Sequence, residues 1–556
     1  MPQQYQPWFE KYPERFREEQ SLLGERGFAL DEEILGRAKA VEFVGALPVD
    51  SSRLLRISFP DAFPSLPPRV FDTHEAPLLR RHHSLDTREL CLFGPQNARW
   101  HAGLSSSDVL GEAEALLKAF GPESALAEDD AVPEPISDML PYKPYSSILV
   151  PPGVSDIDLP TAVTRKVQLS ILYSEHSEPY AFARGVVAGV KIDHRQVSIP
   201  VAYTRALSGS QCYGATVLCL KGTPTLGDLR DCVLRHIPQS TKSTKNPNYW
   251  FAVLFEEQSG QASHARVAWV FARVDHRRNI EWIRAYPYRE TERQARIPAL
   301  APLRDATVAL VGCGCLGSKI AVNLAASGVK KFVLLDGDTH EPYNSVRHEL
   351  GISSFGVLKV HAMMNRLADI NPESLAGRSQ YFVGASYDGK VNSDIYTALS
   401  HSSLILDTTG KHGVSRWVND VAFETGVPAV FASVTNGAWG GEVVRIVPGR
   451  TACWLCWNEQ YASAPPPSEL SPTFYAPGCN QPSFTGATYD TGFVANLASS
   501  MIVDTLLPGF DRPHYSADYI RWAARDSSGP LLRSEMLPVV RRKSCPFCGT
   551  SRVCGA

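Results

Sequence analysis

The chain has 556 residues, of which 44% are apolar and 20% charged, and a net charge of −3. That length suggests about three domains, and the near-neutral balance gives no basic field that would argue for nucleic acid. No apolar run is long enough to span a bilayer, so no membrane is expected. The start, Met1-Pro2-Gln3-Gln4-Tyr5-Gln6, lacks a basic segment followed by an apolar one. No signal peptide is expected, and the expected compartment is the cytosol.

Residues 1–125 read as one compact α+β unit. Trp8, Phe9, Tyr12 and Phe16 suggest a first helix, followed by short β runs at 40–44 and 54–59. A second helix is predicted over 107–120, with Val109, Ala113, Leu116, Leu117 and Phe120 on one face and Ser107 as N-cap. Between them lies a proline-paced, extended segment, Phe59-Pro60-Asp61-Ala62-Phe63-Pro64-Ser65-Leu66-Pro67-Pro68. His82-His83-Ser84 and then Glu89-Leu90-Cys91-Leu92-Phe93-Gly94 and Trp100 follow. This succession resembles the ubiquitin-conjugating enzymes, over residues 5–122. The resemblance implies that Cys91 is the conjugating nucleophile. Family members carry a His-Pro-Asn triplet before the cysteine, where this chain has Arg80-Arg81-His82-His83. His83 then stands at or beside the residue that steadies the oxyanion, and the alternative is a plain exposed loop histidine. His101 is a weaker candidate for the same role.

Residues 121–150 are rich in Pro, Ser and acids, and read as a linker or as strands with many turns. The whole of 126–295 is expected to be a linker and β-rich connecting domain. It has β runs at 166–172, 250–255 and 267–274, a helix near 226–235, and no motif with chemistry.

Residues 296–556 show strand, glycine loop, helix, strand, the form of a doubly wound, Rossmann-like parallel sheet. Thr307-Val308-Ala309-Leu310-Val311 runs into Gly312-Cys313-Gly314-Cys315-Leu316-Gly317, with a helix expected over 318–327. The three glycines permit a tight turn and close approach of phosphate to backbone N–H groups. A second strand, 331–335, ends at Asp336, placed to meet a ribose hydroxyl. To this point a dehydrogenase fits equally well. Asp338, Asn344, Arg347 and Lys359 then add cations and an amide that a triphosphate site uses and hydride transfer does not. Taken with Ile370-Asn371-Pro372, these segments resemble the adenylation domain of ubiquitin-activating enzymes and of their bacterial relatives in thiamine and molybdopterin synthesis. The resemblance covers residues 300–550. It implies ATP, with Asp336 on the ribose, Asn344 orienting the site, and Arg347 and Lys359 on the phosphates. It sets Asp407, in Leu404-Ile405-Leu406-Asp407-Thr408-Thr409-Gly410-Lys411, beside Mg²⁺. Many relatives place an aspartate where this chain has Gly410, so a structural Asp407 is the alternative. For Lys359 the alternative is a solvated helix lysine, and for Asp338 a turn cap.

Of the 12 cysteines, four form the pairs Cys453-Trp454-Leu455-Cys456 and Cys545-Pro546-Phe547-Cys548. Two such pairs complete a Cys₄ tetrahedron for Zn²⁺ with no catalytic vacancy, so the site is expected to be structural. The family shows this separated pairing, and Cys554 is a stray thiol nearby. Cys479 lies in a Pro-, Gly- and Ser-rich loop, accessible as a transfer nucleophile must be. It resembles the catalytic cysteine of the activating enzymes' crossover loop. The alternatives are a surface thiol and a further metal ligand.

Together the resemblances imply ATP-dependent activation of a protein partner's C-terminal carboxylate, of Gly or Ala type. A thioester at Cys479, transthiolation to Cys91 and conjugation to an amine-bearing target follow. Joining both thiols in one chain raises their effective concentration to roughly millimolar. Bacterial fusions of this kind resemble the conjugating enzymes of CBASS antiphage defence operons, where the partner is a cyclic-oligonucleotide synthase (CD-NTase). Family habit adds a homodimer through the adenylation domain, with Arg293 or Arg296 reaching across to phosphate. The competing readings are a sulfur-carrier-protein adenylyltransferase in cofactor biosynthesis, a non-catalytic scaffold and an oxidoreductase.

Overall fold

The computed structural model describes residues 5–72, 82–84, 87–93, 97–120, 135–155, 157, 166–177, 181–197, 199–238, 248–258, 265–289, 296–379, 388–469, 485–509 and 514–549. The chain divides into two compact units, Met1–Ile199 with Ala206–Arg289, and Pro200–Arg205 with Glu290–Ala556. Among the described residues no helix is long and apolar enough to cross a membrane.

The first unit opens on helices Trp8–Lys11 and Pro13–Glu25 rather than on one continuous helix. Tyr12 sits between them at φ −127°, ψ 67°, because a residue before proline is pushed out of the α region. Four strands follow as an antiparallel meander: β1 Ala29–Leu30, β2 Val41–Leu47, β3 Asp50–Phe59 and β4 Arg69–Asp72. The closing helix is Ser106–Phe120, and its cap is Ser105 rather than Ser107. The Ser105 backbone N–H and hydroxyl both donate to the Asp108 carboxylate, at 2.8 and 3.0 Å. Val109, Leu110, Ala113 and Leu117 are buried on the helix's inner face, packed in one core with Phe43, Ile57 and Trp8.

The remaining strands of this unit are β5 Tyr142–Val150, β6 Val167–His176, β7 Phe182–Ile192, β8 Arg195–Val197, β9 Gln211–Cys219, β10 Tyr249–Gln258, β11 Ala265–Val274 and β12 Ile280–Pro287. Among the described residues their order is β5-β12-β11-β10-β9-β6-β7-β8, and β5 also pairs with β7. That pairing closes seven of the eight strands into a ring. The stretch 121–150, read as a linker or as strands with many turns, thus ends in a barrel strand. Pro144 obscures it in the sequence, and Tyr145 at φ +54° opposes a register shift between Trp282 and Arg284, so the strand enters the sheet through an irregularity. Alternation along β10 separates two cores. Phe251, Val253 and Phe255 pack under helix Leu226–Arg235, while Trp250, Ala252 and Leu254 join Trp269 and Phe271 on the other face.

The second unit is a mixed α/β fold around β13 Thr307–Val311, β14 Lys331–Leu335, β15 Leu375–Ser379, β16 Leu404–Asp407, β17 Ala429–Val434, β18 Gly440–Ile446, β19 Tyr519–Asp526 and β20 Gly529–Leu537. The order among the described residues is β15-β14-β13-β16-β17-β18-β19-β20, parallel through β17 and antiparallel beyond it. Buried apolar clusters cover both faces. Val308 and Leu310 pack with helices Cys315–Ala326 and Thr488–Leu506, and Ala309 and Val311 with helix His412–Thr425. A strand covered on both faces reads as an unbroken apolar run, which is the form of Thr307-Val308-Ala309-Leu310-Val311. The chain order reverses between β13 and β16, and the carboxyl ends of such a pair frame a crevice.

Candidate nucleotide site

The loop after β13 is shaped by two steric demands. Gly312 has φ +93°, a conformation that side chains resist. At Gly317 an added Cβ would lie 2.0 Å from the Gly312 carbonyl oxygen, so only glycine lets the helix pack against its own entry loop. The helix therefore begins at Cys315, three residues before the expected start, and holds Gly317 in its first turn. Gly314 differs, because a Cβ there would meet nothing within 4 Å. It caps the helix at φ −81° and faces a cavity of about 290 Å³. An exposed helix N-terminus with open space before it suits an anion.

Gly314, Cys315, Asn344, Arg347, His348 and Lys359 line that cavity from one side, and Thr408, Thr409, Gly410 and Ser433 from the other. Asp336 is buried just after β14 and, like Asp338, is not among the residues that line this cavity. Its carboxylate accepts the Cys313 N–H at 2.7 Å and the Asp338 N–H at 2.9 Å, tying the glycine loop to the next turn. Lys359, the first residue of helix Lys359–Ile370, forms an ion pair with Asp338. Asn344 accepts the Glu341 N–H at 3.2 Å and so closes the short turn that presents Arg347.

His348, Thr408 and Thr409 were not singled out in the sequence. The signals available were a histidine beside Arg347 and a polar run closing a buried strand. His348 Nδ1 accepts the Leu350 N–H at 3.0 Å, so Nε2 carries the proton given to the Cys313 carbonyl at 2.7 Å. Burial pushes this imidazole down to about 4, which keeps it neutral.

The sequence sets Asp407 beside Mg²⁺, with a structural role as the alternative. It is buried and does not line the nucleotide cavity. Its carboxylate accepts the Thr409 N–H at 2.9 Å, the Thr409 hydroxyl at 2.7 Å and the Ser415 hydroxyl at 2.6 Å. Desolvation raises its pKa despite those bonds. The carboxylate is thus committed to holding the turn after β16, and Gly410 brings no side chain. The residues present do not fit a Mg²⁺ site at Asp407.

Cys453, Cys456, Cys545 and Cys548 converge, with their sulfurs all within 4.8 Å of one another. Sulfurs on a tetrahedral zinc at about 2.3 Å lie about 3.8 Å apart, so the cluster fits that ion. The Arg542 N–H lies 3.4 Å from the Cys456 sulfur, a donor of the kind that steadies a thiolate.

In the first unit Cys91 is exposed between buried Leu90 and Leu92, and its N–H donates to the His82 carbonyl at 2.8 Å. His83 requires a correction. Its ring is fully buried, 3.9 Å from the Asp72 carboxylate, which also holds Arg53 and Arg88. Burial lowers it to about 4. The ring therefore faces the core, away from the exposed surface that carries Cys91, because the bridge His83–Leu90 pairs the two segments with those side chains inward. His82 instead lies against the Phe120 ring, at 5.0 Å between centroids. His101 is exposed, and its Nδ1 accepts the Gly103 N–H at 3.2 Å. Cys479, Arg293 and Cys554 lie outside the described residues, while Arg296 is exposed.

Residues 289–545 match the ThiF family. Uncharacterized protein y4qC of Sinorhizobium fredii is 27% identical over 497 residues, 81% of this chain and 82% of that protein. Ubiquitin-like modifier-activating enzyme 5 of Branchiostoma floridae is 29% identical over 164 residues, 28% of this chain and 39% of that enzyme. ATP-dependent ubiquitin transferase-like protein Cap2 of Enterobacter hormaechei subsp. hoffmannii is 30% identical over 163 residues, 29% of this chain and 26% of that protein. The chain thus spans most of the first relative and well under half of the other two.

Proposed function

We propose that the second unit, whose residues 289–545 match the ThiF family, activates the C-terminal carboxylate of a protein partner with ATP. The observation that carries the reading is the crevice at the carboxyl ends of β13 and β16. It joins an open helix N-terminus at Gly314 to Arg347 and Lys359. Such donors match the negative charge of a triphosphate and of departing pyrophosphate. A carboxylate oxygen attacks the α-phosphorus, the bond to the β-phosphate oxygen breaks, and pyrophosphate leaves. Asp336 is the group for the ribose, and its two backbone bonds also fix the loop.

The acyl-adenylate is then attacked by the Cys479 thiolate, with AMP as leaving group. Cys91 takes the acyl group by transthiolation and passes it to an amine on a target protein. The unit carrying Cys91 is read as conjugating-enzyme-like on the motifs that surround that cysteine. Its exposure between two buried neighbours is what a thiol meeting two partners needs. Zn²⁺ in the Cys₄ cluster supplies folding energy to the end of the chain. Bacterial antiphage defence, with a cyclic-oligonucleotide synthase as the acyl donor, is the setting we favour, on the likeness to Cap2.

Trapping by non-reducing electrophoresis tests the transfer order. Cys91→Ala should leave a reductant-sensitive adduct at Cys479, and Cys479→Ala should leave Cys91 unloaded. Loaded Cys91 in the Cys479→Ala protein contradicts the order. Full cellular activity of Cys91→Ala favours sulfur-carrier activation instead.

A further inference from the structure

The backbone groups of the glycine loop are tied down one after another. The Gly312 N–H donates to the Leu335 carbonyl at 2.9 Å, and the Gly312 carbonyl accepts the Thr408 hydroxyl at 2.7 Å. The Cys313 N–H is held by Asp336, and the Cys313 carbonyl accepts from His348. The Gly314 N–H comes next and has no hydrogen-bond partner among the described residues. Gly314 is half-exposed and lines the nucleotide cavity, so this donor is left for a ligand.

The direction of that donor is set by the residue before it. A peptide unit is planar and trans, so the Cys313 carbonyl and the Gly314 N–H point in opposite directions. Glycine tolerates either sign of φ, so the backbone at 314 does not by itself choose between this orientation and the flipped one. In the flipped one a carbonyl oxygen would stand where the N–H now points, and would repel phosphate. What holds the peptide is the bond from His348 Nε2 to the Cys313 carbonyl at 2.7 Å.

His348 is itself fixed from three sides. Its backbone N–H donates to the Asn344 carbonyl at 2.9 Å, its Nδ1 accepts the Leu350 N–H at 3.0 Å, and its ring packs edge-on to that of His340, 5.1 Å between centroids. Asn344 also closes the turn that presents Arg347. One residue thus joins the turn of the arginine to the glycine loop.

We propose that His348 is a positioning residue for the nucleotide: its ring fixes the Cys313–Gly314 peptide so that the Gly314 N–H meets a phosphate oxygen, in register with Arg347. The inference rests on the nucleotide reading above and assigns the orientation of the loop to a side chain outside it. His348 acts through the loop backbone rather than on the reacting atoms.

The test is calorimetric titration of the full chain with ATP and, separately, with adenosine, which lacks the phosphates. His348→Leu should weaken ATP by about tenfold, the scale of one hydrogen bond to a charged group, and should leave adenosine within about twofold. His348→Gln, whose amide can both donate to Cys313 and accept from Leu350, should recover most of the loss. Where the leucine protein does not fold, His348→Ala titrated with ATP in the absence and presence of imidazole takes its place, and imidazole should restore the affinity. Unchanged ATP affinity, equal weakening of ATP and adenosine, or no recovery with glutamine or imidazole overturns the positioning role alone. An unaltered chain that binds no ATP counts against the nucleotide reading itself.

Discussion

Lys359 reaches back to Asp338 twice, through its ammonium to the carboxylate and through its backbone N–H to the carbonyl oxygen at 2.9 Å. The second bond places the helix start, and the first aims the ammonium along the wall of the nucleotide cavity. Lys359→Ala should slow ATP–pyrophosphate exchange by about two orders of magnitude, the scale of one preorganised charge at a reacting phosphate. Asp338→Asn keeps the lysine and should cost less. Equal losses in the two variants contradict a direct role for the ammonium.

Gly314 and Gly317 should separate binding from folding. Gly317→Ala forces a Cβ to 2.0 Å from a backbone oxygen and 2.7 Å from the Thr408 hydroxyl, so the loop must rebuild. Thermal unfolding should fall by several degrees. Gly314→Ala meets no atom and should leave the melting temperature unchanged while weakening ATP binding in a titration.

His348 makes the second unit sensitive to acid. Its folded pKa of about 4 lies below the ordinary value of 6.5. The unfolded chain therefore binds a proton that the folded chain refuses, and stability is complete above pH 6.5. It declines as pH falls towards 4, by at most about 1.4 kcal/mol per unit. His83 acts in the same sense in the first unit. Denaturant midpoints at pH 7.5 and 5.0 should differ less in His348→Gln, whose amide can copy both hydrogen bonds of the neutral ring.

One zinc per chain is expected from the four converging sulfurs. Cys545→Ser should lower the metal content and open the end of the chain to protease, while the β13–β17 core keeps its amide protection. Metal-free protein with an intact terminal segment contradicts a zinc tie.

The features legible in the sequence were those set by local chemistry. Glycines 312 and 317 announce themselves because no other residue fits their geometry, and helix Leu226–Arg235 follows from its apolar spacing and from the Thr225–Asp228 capping box. The convergence of Cys453, Cys456, Cys545 and Cys548 is likewise implied by two CxxC steps. What escaped depends on distant partners. The pairing of β5 with both β12 and β7 closes a ring that no local pattern states, and Pro144 masks the strand. His83 reads as a loop histidine until Asp72, Arg53 and Arg88 surround it. For Asp407 the sequence leaves a metal-side and a structural role open, and the bond from Ser415, eight residues on, is not visible in it.

The most direct measurement is the fate of α-labelled ATP given to the purified chain with the proteins encoded beside its gene, resolved by thin-layer chromatography. Attack of a carboxylate on the α-phosphorus predicts labelled AMP with release of pyrophosphate, slowed by about two orders of magnitude in Lys359→Ala. Labelled ADP with free phosphate, or unchanged ATP with every such partner, contradicts carboxylate adenylation at this crevice.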